Sequence, residues 1–179
     1  MLSPSTARFS LRPATAADAT VTAAVEIRSW RACYRGLIPD RVLDAMSHGA
    51  RTHAHRRLIG ERNGLHLVAT DTTHHDVVGF CHAGPARRPG PWAWEGYTIY
   101  LEHHARWHGI GREMFEQVFA WVRPRTPPSL IVWVLEANHH ARRFYEALGG
   151  RAAHQTPSSV GGFPVVEQAY VWDRVAAAR

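Results

Sequence analysis

Residues 98 to 112 constrain the fold more than any other part of the chain. An apolar stretch from Thr98 to Leu101 runs into a basic turn, then into Gly109 and Gly111, and then into a pattern typical of an amphipathic helix. This order predicts a strand that ends in a tight loop at the start of a helix. The first N–H groups of a helix lack intrahelical partners, and the helix dipole is positive there. We therefore expect the loop to bind an anion.

The residues around the two glycines favour a phosphorylated cofactor as that anion. Arg106, His108 and Arg112 add positive charge, and the glycines let a phosphate approach the backbone closely. Other glycine motifs fit less well, because a dinucleotide fingerprint would place its third glycine at Met114 and a P-loop requires Gly-Lys-Ser/Thr. The simpler interpretation, in which the two glycines serve only to form the turn, stays open.

The rest of the chain alternates between strand and helix patterns. Helices are expected from Thr15, where Asp18 completes a capping box, to about Cys33, and again from Pro39. Further helices are expected at residues 51–59, from Gly109 to Pro124, and after an Asn138 cap. Strands are expected at residues 9–12, 65–70, 77–83, 95–101 and 130–135, with two more flanking Gly161 and Gly162. The pattern predicts a mixed α/β domain with helices packed on a central sheet.

Composition narrows the class of protein. The 179 residues suit one domain, and a net charge of +6 favours acidic ligands without separating a nucleic acid from a pyrophosphate. Cys33 and Cys81 match neither a disulfide framework nor a zinc site, and the thirteen histidines show no metal-ligand pattern, so no metal is expected. With no apolar run near 18 residues, we expect a soluble, cytoplasmic protein that has no membrane partner.

Two segments resemble the signatures of one enzyme family. Residues 106–111, Arg-Trp-His-Gly-Ile-Gly, resemble the Arg/Gln-x-x-Gly-x-Gly/Ala signature of the GNAT superfamily of acetyl-CoA-dependent N-acetyltransferases. Residues 138–146 are similar to its second signature, Asn-x-x-Ala-x-x-Phe/Leu-Tyr-Glu, and Leu11 to Ala14 resembles its opening strand. Trp107 departs from the pattern by replacing a common glycine, and Gly150 stands where an aromatic residue is usual.

The resemblance implies both a fold and a cofactor site. The fold would be one GNAT-like domain over residues 1–179, with a mixed, mostly antiparallel twisted sheet of six to seven strands flanked by helices. The co-substrate would be acetyl-CoA, without a metal. Its pyrophosphate would lie beside Arg106 on the backbone N–H groups of Trp107, His108, Gly109, Ile110, Gly111 and Arg112. The pantetheine arm would pair with the strand that ends at Leu101, and Asn138 would contact that arm.

The resemblance also assigns chemical roles. Tyr145 matches the residue that often protonates the departing CoA thiolate. Glu95 matches the carboxylate that serves as general base in the histone-acetylating branch, with an ordered water as the alternative. Two simpler interpretations stay open. Tyr145 could only pack in the core, and Glu95 could be an ordinary carboxylate on a strand. Trp30, Tyr34, Trp92 and Trp94 are candidates for the acceptor pocket.

The functional prediction is transfer of an acetyl group from acetyl-CoA to the amine of a small molecule, peptide or protein. A CoA-binding protein without transferase activity is one alternative. A basic nucleic-acid-binding module that uses the regions Arg51–Arg62 and Arg87–Arg88 is another, although it leaves the Asn138–Tyr145 helix unexplained. A homodimer is possible, with Val165 to Trp172 as the stretch that would pair with a second copy.

Overall fold

The computed structural model describes residues 8–175, which form one seven-stranded sheet in the order β1-β2-β3-β4-β5-β7-β6. The strands are β1 (Phe9–Pro13), β2 (Leu65–Asp71), β3 (Val77–Pro85), β4 (Trp94–Leu101), β5 (Leu130–Leu135), β6 (Arg151–Val160) and β7 (Phe163–Trp172). All neighbouring pairs are antiparallel except β4 and β5, which run parallel. The predicted mixed, mostly antiparallel sheet is therefore confirmed.

Five α-helices flank the sheet in the described part of the chain. They are α1 (Ala19–Tyr34), α2 (Asp40–Asp44), α3 (His48–Ile59), α4 (Ile110–Val122) and α5 (His139–Ala147). A short 3₁₀ turn, Ala16–Asp18, precedes α1, and the Asp18 carboxylate accepts a hydrogen bond from the Thr15 N–H as the capping box requires. Helix α3 begins three residues before the predicted start, because Ser47 caps it by accepting a hydrogen bond from Ala50 N–H.

The hydrophobic core lies mainly between the sheet and helix α4. Met114, Phe115 and Val118 on α4 pack with alternate residues of β5 and β7 such as Val132 and Tyr170. This arrangement follows from the helical spacing of the apolar residues in α4. A smaller cluster, which includes Val25 and Phe80, packs α1 on the opposite face of the sheet. Helices α1 and α4 therefore lie on opposite faces of the sheet. Strands β4 and β5, the parallel pair, lie between them and separate there.

Strands β4 and β5 pair only at their first residues. The parallel register joins Trp94 to Leu130 and ends at Gly96 opposite Val132. A bulge also occurs in β4, since His82 lies opposite Thr98 while Ala83 lies opposite Gly96, which leaves Tyr97 unmatched. Bulges increase the local bend of a strand. The remaining residues of β4 and β5 therefore form the two sides of an open wedge.

The backbone of β7 is paired on both sides, with β5 along Glu167 to Trp172 and with β6 along most of its length. A second copy therefore cannot add a strand beside residues 167–172, and a homodimer that uses Val165 to Trp172 in another way stays a prediction. The free edge on this side of the sheet belongs to β6. None of the helices in residues 8–175 is long and apolar enough to cross a membrane.

Candidate active site

A cavity of about 400 Å³ occupies the wedge between β4 and β5. Residues 97–101 of β4 and 133–135 of β5 line two of its sides. The end of α1 contributes Trp30 and Tyr34, and α5 contributes Phe144 and Tyr145. The loop before β4 adds Arg87 and Arg88 at one end, and Arg106 and Gly111 line the other. Every layer of the fold therefore contributes a wall to one elongated cavity.

The loop that ends the cavity at Gly111 carries a run of unpaired backbone donors. Across the described residues, no hydrogen bond from the backbone N–H groups of residues 107–112 to another protein group is found, and the helical bonds of α4 begin with Glu113 N–H to Gly109 O. Gly109 has a φ of 80°, the left-handed conformation that glycine adopts most readily. Open space surrounds the position that its Cβ would take. We call residues 107–112 the cradle: unpaired N–H groups of this kind are suited to an anion, and pyrophosphate binding here stays a prediction.

The cations around this cradle take different positions. Arg106 donates from Nε to the Leu101 carbonyl at 3.1 Å and from Nη2 to Cys33 Sγ at 3.3 Å, so it joins the loop to β4 and α1. Arg112 is exposed and reaches the Ala147 carbonyl. Trp107 is 83% exposed, also has a positive φ, and packs its ring 5.1 Å from that of His140. Trp107 therefore lies at the rim of the cavity.

Asn138 joins two walls of the cavity. Its Oδ1 accepts a hydrogen bond from Ala141 N–H and so caps α5, while its Nδ2 donates to Tyr34 Oη on α1 at 3.1 Å. The sequence predicted the cap but gave no sign of the contact with Tyr34. The carbonyl oxygen is occupied by the helix and one of the two amide N–H groups by a tyrosine, so the orientation of this side chain is fixed while its second N–H stays available.

Tyr145 lines the cavity from α5 and is buried against Phe115, with the ring centroids 5.6 Å apart. Burial raises the pKa of its hydroxyl above the usual value for tyrosine, so the group stays protonated at neutral pH. Among residues 8–175 no protein group hydrogen-bonds to this hydroxyl. The hydroxyl is thus a proton donor within the cavity that remains available to a ligand.

Glu95 lies outside the cavity lining, under Arg87. Its side chain is 2% exposed, and its two oxygens accept hydrogen bonds from the Arg87 N–H at 2.9 Å, Nε at 3.1 Å and Nη2 at 2.6 Å. Arg87 lines the cavity and Glu95 does not. The structure therefore separates the carboxylate expected to act as general base from the cavity by an arginine that holds both of its oxygens.

A carboxylate that the sequence analysis missed, Glu167 on β7, lines the cavity instead. It forms an ion pair with Arg88 at 2.5 Å, and the Arg88 guanidinium stacks 4.2 Å from the Trp133 ring centroid. The sequence signal that could have identified Glu167 is an acidic residue at an inward-facing position of a largely apolar strand. Its proximity to β5 could not be read locally, because β7 follows β6 in sequence but lies between β5 and β6 in the sheet.

Aromatic residues form the walls near Glu167. Trp30, Tyr34, Tyr97, Tyr100 and Trp133 all line the cavity. Of the four aromatic candidates from the sequence, Trp30 and Tyr34 lie there. Trp92 and Trp94 do not, because their indole N–H groups are directed to Asp173 and to the Pro127 carbonyl. Among residues 8–175 no group of three or more His, Cys, Asp or Glu side chains is arranged to hold a metal ion.

Comparisons with known proteins agree with this geometry. Residues 27–150 match the family model described as the acetyltransferase (GNAT) family. The chain is 26% identical over 168 residues to the uncharacterised N-acetyltransferase YuaI of Bacillus subtilis, covering 93% of this chain and 94% of the relative.

Solved structures share the fold. The PaiA N-acetyltransferase of Thermoplasma acidophilum, solved in complex with coenzyme A, superposes with a TM-score of 0.69 at 15% identity, over 89% of this chain and 97% of that one. YncA of Salmonella typhimurium, solved with its cofactor acetyl-CoA, gives a TM-score of 0.69 at 16% identity, over 97% of each chain.

Proposed function

The chain belongs to the acetyltransferase (GNAT) family and is an acetyl-CoA-dependent N-acetyltransferase, and on that premise we propose how its cavity carries out the transfer. The observation that supports the proposal most strongly is a single cavity with two chemically different ends. One end presents the unpaired N–H groups of residues 107–112, and the other presents aromatic side chains and Glu167. Acetyl-CoA supplies an activated acetyl group, and the acceptor supplies a primary amine.

The co-substrate would lie along the wedge from the loop to Tyr145. The pyrophosphate would accept hydrogen bonds from the backbone N–H groups of residues 107–112, with Arg106 and Arg112 providing positive charge. Beyond Gly96 opposite Val132, β4 and β5 no longer pair with each other. The pantetheine arm can use that vacant side of β4, next to Leu101, in the manner of an added strand.

Tyr145 would act as the general acid. When the amine nitrogen bonds to the acetyl carbon, the carbon–sulfur bond breaks and the sulfur requires a proton. The Tyr145 hydroxyl lines the cavity, is protonated at neutral pH and has no protein partner in the described residues. Asn138 would hold α5, and with it Tyr145, against α1 through its hydrogen bond with Tyr34. Asn138 would also contact the amide-bearing arm from the cavity wall.

The acceptor would be an amine carried by a small molecule or by a peptide or protein, with an apolar or aromatic group beside the nitrogen. Trp30, Tyr34, Tyr97 and Trp133 offer flat apolar surfaces next to a carboxylate. The nucleic-acid alternative loses much of its basis, because Arg51, Arg87 and Arg88 are paired with Glu26, Glu95 and Glu167. Free thiols at Cys33 and Cys81 are compatible with the cytoplasmic location that we also propose.

The test is a screen for transfer. The protein is incubated with acetyl-CoA and individual primary amines, including phenethylamine, lysine and short peptides with free N-termini. Release of the CoA thiol is followed by colour formation, and the product is confirmed by a mass gain of one acetyl group. Transfer to at least one amine supports the proposal. Tight acetyl-CoA binding with no transfer to any amine class would instead favour a CoA-binding protein without transferase activity.

A further inference from the structure

Glu167 is the one carboxylate among the described residues that line the cavity. It lies opposite Leu135 in the β5–β7 register, beyond the point where β4 and β5 have stopped pairing. Its side chain is 19% exposed, so it is neither buried in the core nor free in solvent. A carboxylate in this position is available to a positively charged group that enters the cavity.

The surroundings of Glu167 place it at the acceptor end. Tyr34 and Glu167 line the same cavity, and the rise in the pKa of the Tyr34 hydroxyl comes mainly from burial, with a small part from the negative charge of Glu167. Trp133 lies beside them under the Arg88 guanidinium. A primary ammonium between these aromatic faces and a carboxylate gains both cation–π and ion-pair contacts.

Arg88 is a displaceable partner for Glu167. It comes from the loop before β4, its side chain is 42% exposed, and its one contact with Glu167 runs from Nη2 to Oε2. Arg87, in contrast, holds the buried Glu95 through its backbone N–H and two guanidinium nitrogens. Ion pairs with an exposed partner contribute little to stability, and Arg88 is the exposed partner here, so an incoming ammonium can replace it.

We propose that Glu167 binds the ammonium group of the acceptor and takes its proton, the role for which the sequence suggested Glu95. This inference rests on the acetyl-transfer function proposed above. The ammonium pairs with Glu167, and one proton moves from nitrogen to a carboxylate oxygen. The nitrogen lone pair then forms the bond to the acetyl carbon while the carbon–sulfur bond breaks. Tyr145 donates a proton to sulfur, and the second proton that nitrogen loses as the amide forms returns to the Tyr145 oxygen. Glu167 releases the first proton to solvent on its exposed side.

The experiment compares Glu167→Gln with Arg88→Gln, using phenethylamine as the charged probe and 2-phenylethanol as its neutral counterpart. Binding is measured by ligand-observed NMR in the presence of CoA, and acetyl-CoA affinity by calorimetry. We expect Glu167→Gln to lose at least tenfold in phenethylamine affinity, while acetyl-CoA affinity and 2-phenylethanol binding stay within twofold of wild type. Arg88→Gln should keep or improve phenethylamine binding, because Glu167 loses its competitor.

A purely structural ion pair predicts a different result, in which both substitutions weaken phenethylamine binding to the same extent. Equal phenethylamine binding by wild type and Glu167→Gln, including no binding by either, would overturn the proposal. Glu167→Asp, which keeps the charge on a shorter side chain, covers the case in which Glu167→Gln does not fold. Failure of the proposed function itself would give a different result, because the wild type would then not bind acetyl-CoA.

If phenethylamine is acetylated, kinetics provide a second readout. Glu167→Gln should lower kcat/KM by about 100-fold or more, the usual contribution of a general base. Glu95→Gln should affect folding stability through loss of the Arg87 contacts and spare the preference for phenethylamine over 2-phenylethanol. A larger loss of kcat/KM in a folded Glu95→Gln than in Glu167→Gln would return the base to Glu95 and contradict the inference.

Discussion

Asn138 Nδ2 donates a hydrogen bond of 3.1 Å to Tyr34 Oη, joining residues 104 positions apart in the sequence. The same Asn138 caps α5 through Oδ1. The end of α1 and the start of α5 are thereby fixed relative to each other across the cavity. The Asn138 side chain thus fixes the helix that carries Tyr145 relative to Tyr34, which lines the opposite wall of the cavity.

This double role can be separated by mutation. Tyr34→Phe removes one hydrogen bond and should lower the free energy of unfolding by about 1 kcal/mol. Asn138→Ala removes that bond and the cap, and should cost about a further 1 kcal/mol. Urea unfolding of the two variants measures the difference. Equal losses for both would show that the cap contributes nothing beyond the contact with Tyr34.

Replacement of Tyr145 by Phe tests the general acid. Because burial keeps the hydroxyl protonated and no protein group in the described residues engages it, its loss should leave acetyl-CoA affinity within a few-fold of wild type. The rate of thiol release should fall by about 100-fold, the usual size of a general-acid contribution. A Tyr145→Phe enzyme with an unchanged rate would reduce this residue to core packing.

The backbone conformation of Gly109 gives a second test of the cradle. With φ at 80° and open space around the Cβ position, a new side chain here acts through backbone strain and not through a clash. Gly109→Val should weaken acetyl-CoA binding at least tenfold, since a left-handed β-branched residue costs about 1–2 kcal/mol or more. Gly109→Asn is the matched control, because asparagine tolerates this conformation, and it should bind nearly as well as wild type.

A buried histidine chain on the other face of the sheet predicts a pH effect on stability. His55 contacts Glu26 at 2.8 Å and His82 at 3.1 Å, and His82 contacts His66 at 3.1 Å. Burial first, and then the neighbouring histidines, hold the pKa of His82 well below 6.5, and burial lowers that of His66. The unfolded chain therefore binds more protons than the folded one below about pH 6.5, so the folded state loses stability as pH falls.

Each histidine that stays neutral in the folded state should remove about 1.4 kcal/mol of unfolding free energy between pH 7.5 and 5.5. Urea unfolding at the two pH values measures the loss. His82→Gln should reduce the loss, whereas His53→Gln, an exposed position on the same helix as His55, should not. An equal pH dependence in wild type and His82→Gln would show that the chain does not control acid stability.

Local patterns were enough to predict most of the fold and the loop that carries the unpaired N–H groups. Hydrophobic spacing predicted helices that bury one face, such as α4, and a continuous apolar run predicted β5, which is buried on both faces. Gly109 marked the loop because its left-handed conformation favours glycine. Gly150, which departs from the family pattern, is explained by Trp172: a Cβ at residue 150 would lie 2.8 Å from the indole. Trp172 on β7 thus provides the aromatic ring that residue 150 provides in the family pattern.

The acceptor end could not be predicted because it depends on contacts between distant segments. Glu167 reaches the cavity only because β7 inserts beside β5, and Glu95 is covered only because the loop before β4 folds back and places Arg87 over it. Neither event leaves a periodic or motif-level sign in the sequence. The family resemblance therefore pointed to Glu95, the carboxylate that lies outside the cavity lining.

In the proposed function, the N–H groups of residues 107–112 hold the pyrophosphate of acetyl-CoA. Calorimetry of the wild type and Gly109→Val tests this most directly, with acetyl-CoA and with S-acetylpantetheine, which lacks both the pyrophosphate and the phosphoadenosine. We predict one acetyl-CoA per chain and at least a hundredfold weaker binding of S-acetylpantetheine, with the difference reduced at least tenfold in Gly109→Val. Equal affinity for the two compounds, or no binding of acetyl-CoA, would contradict the account.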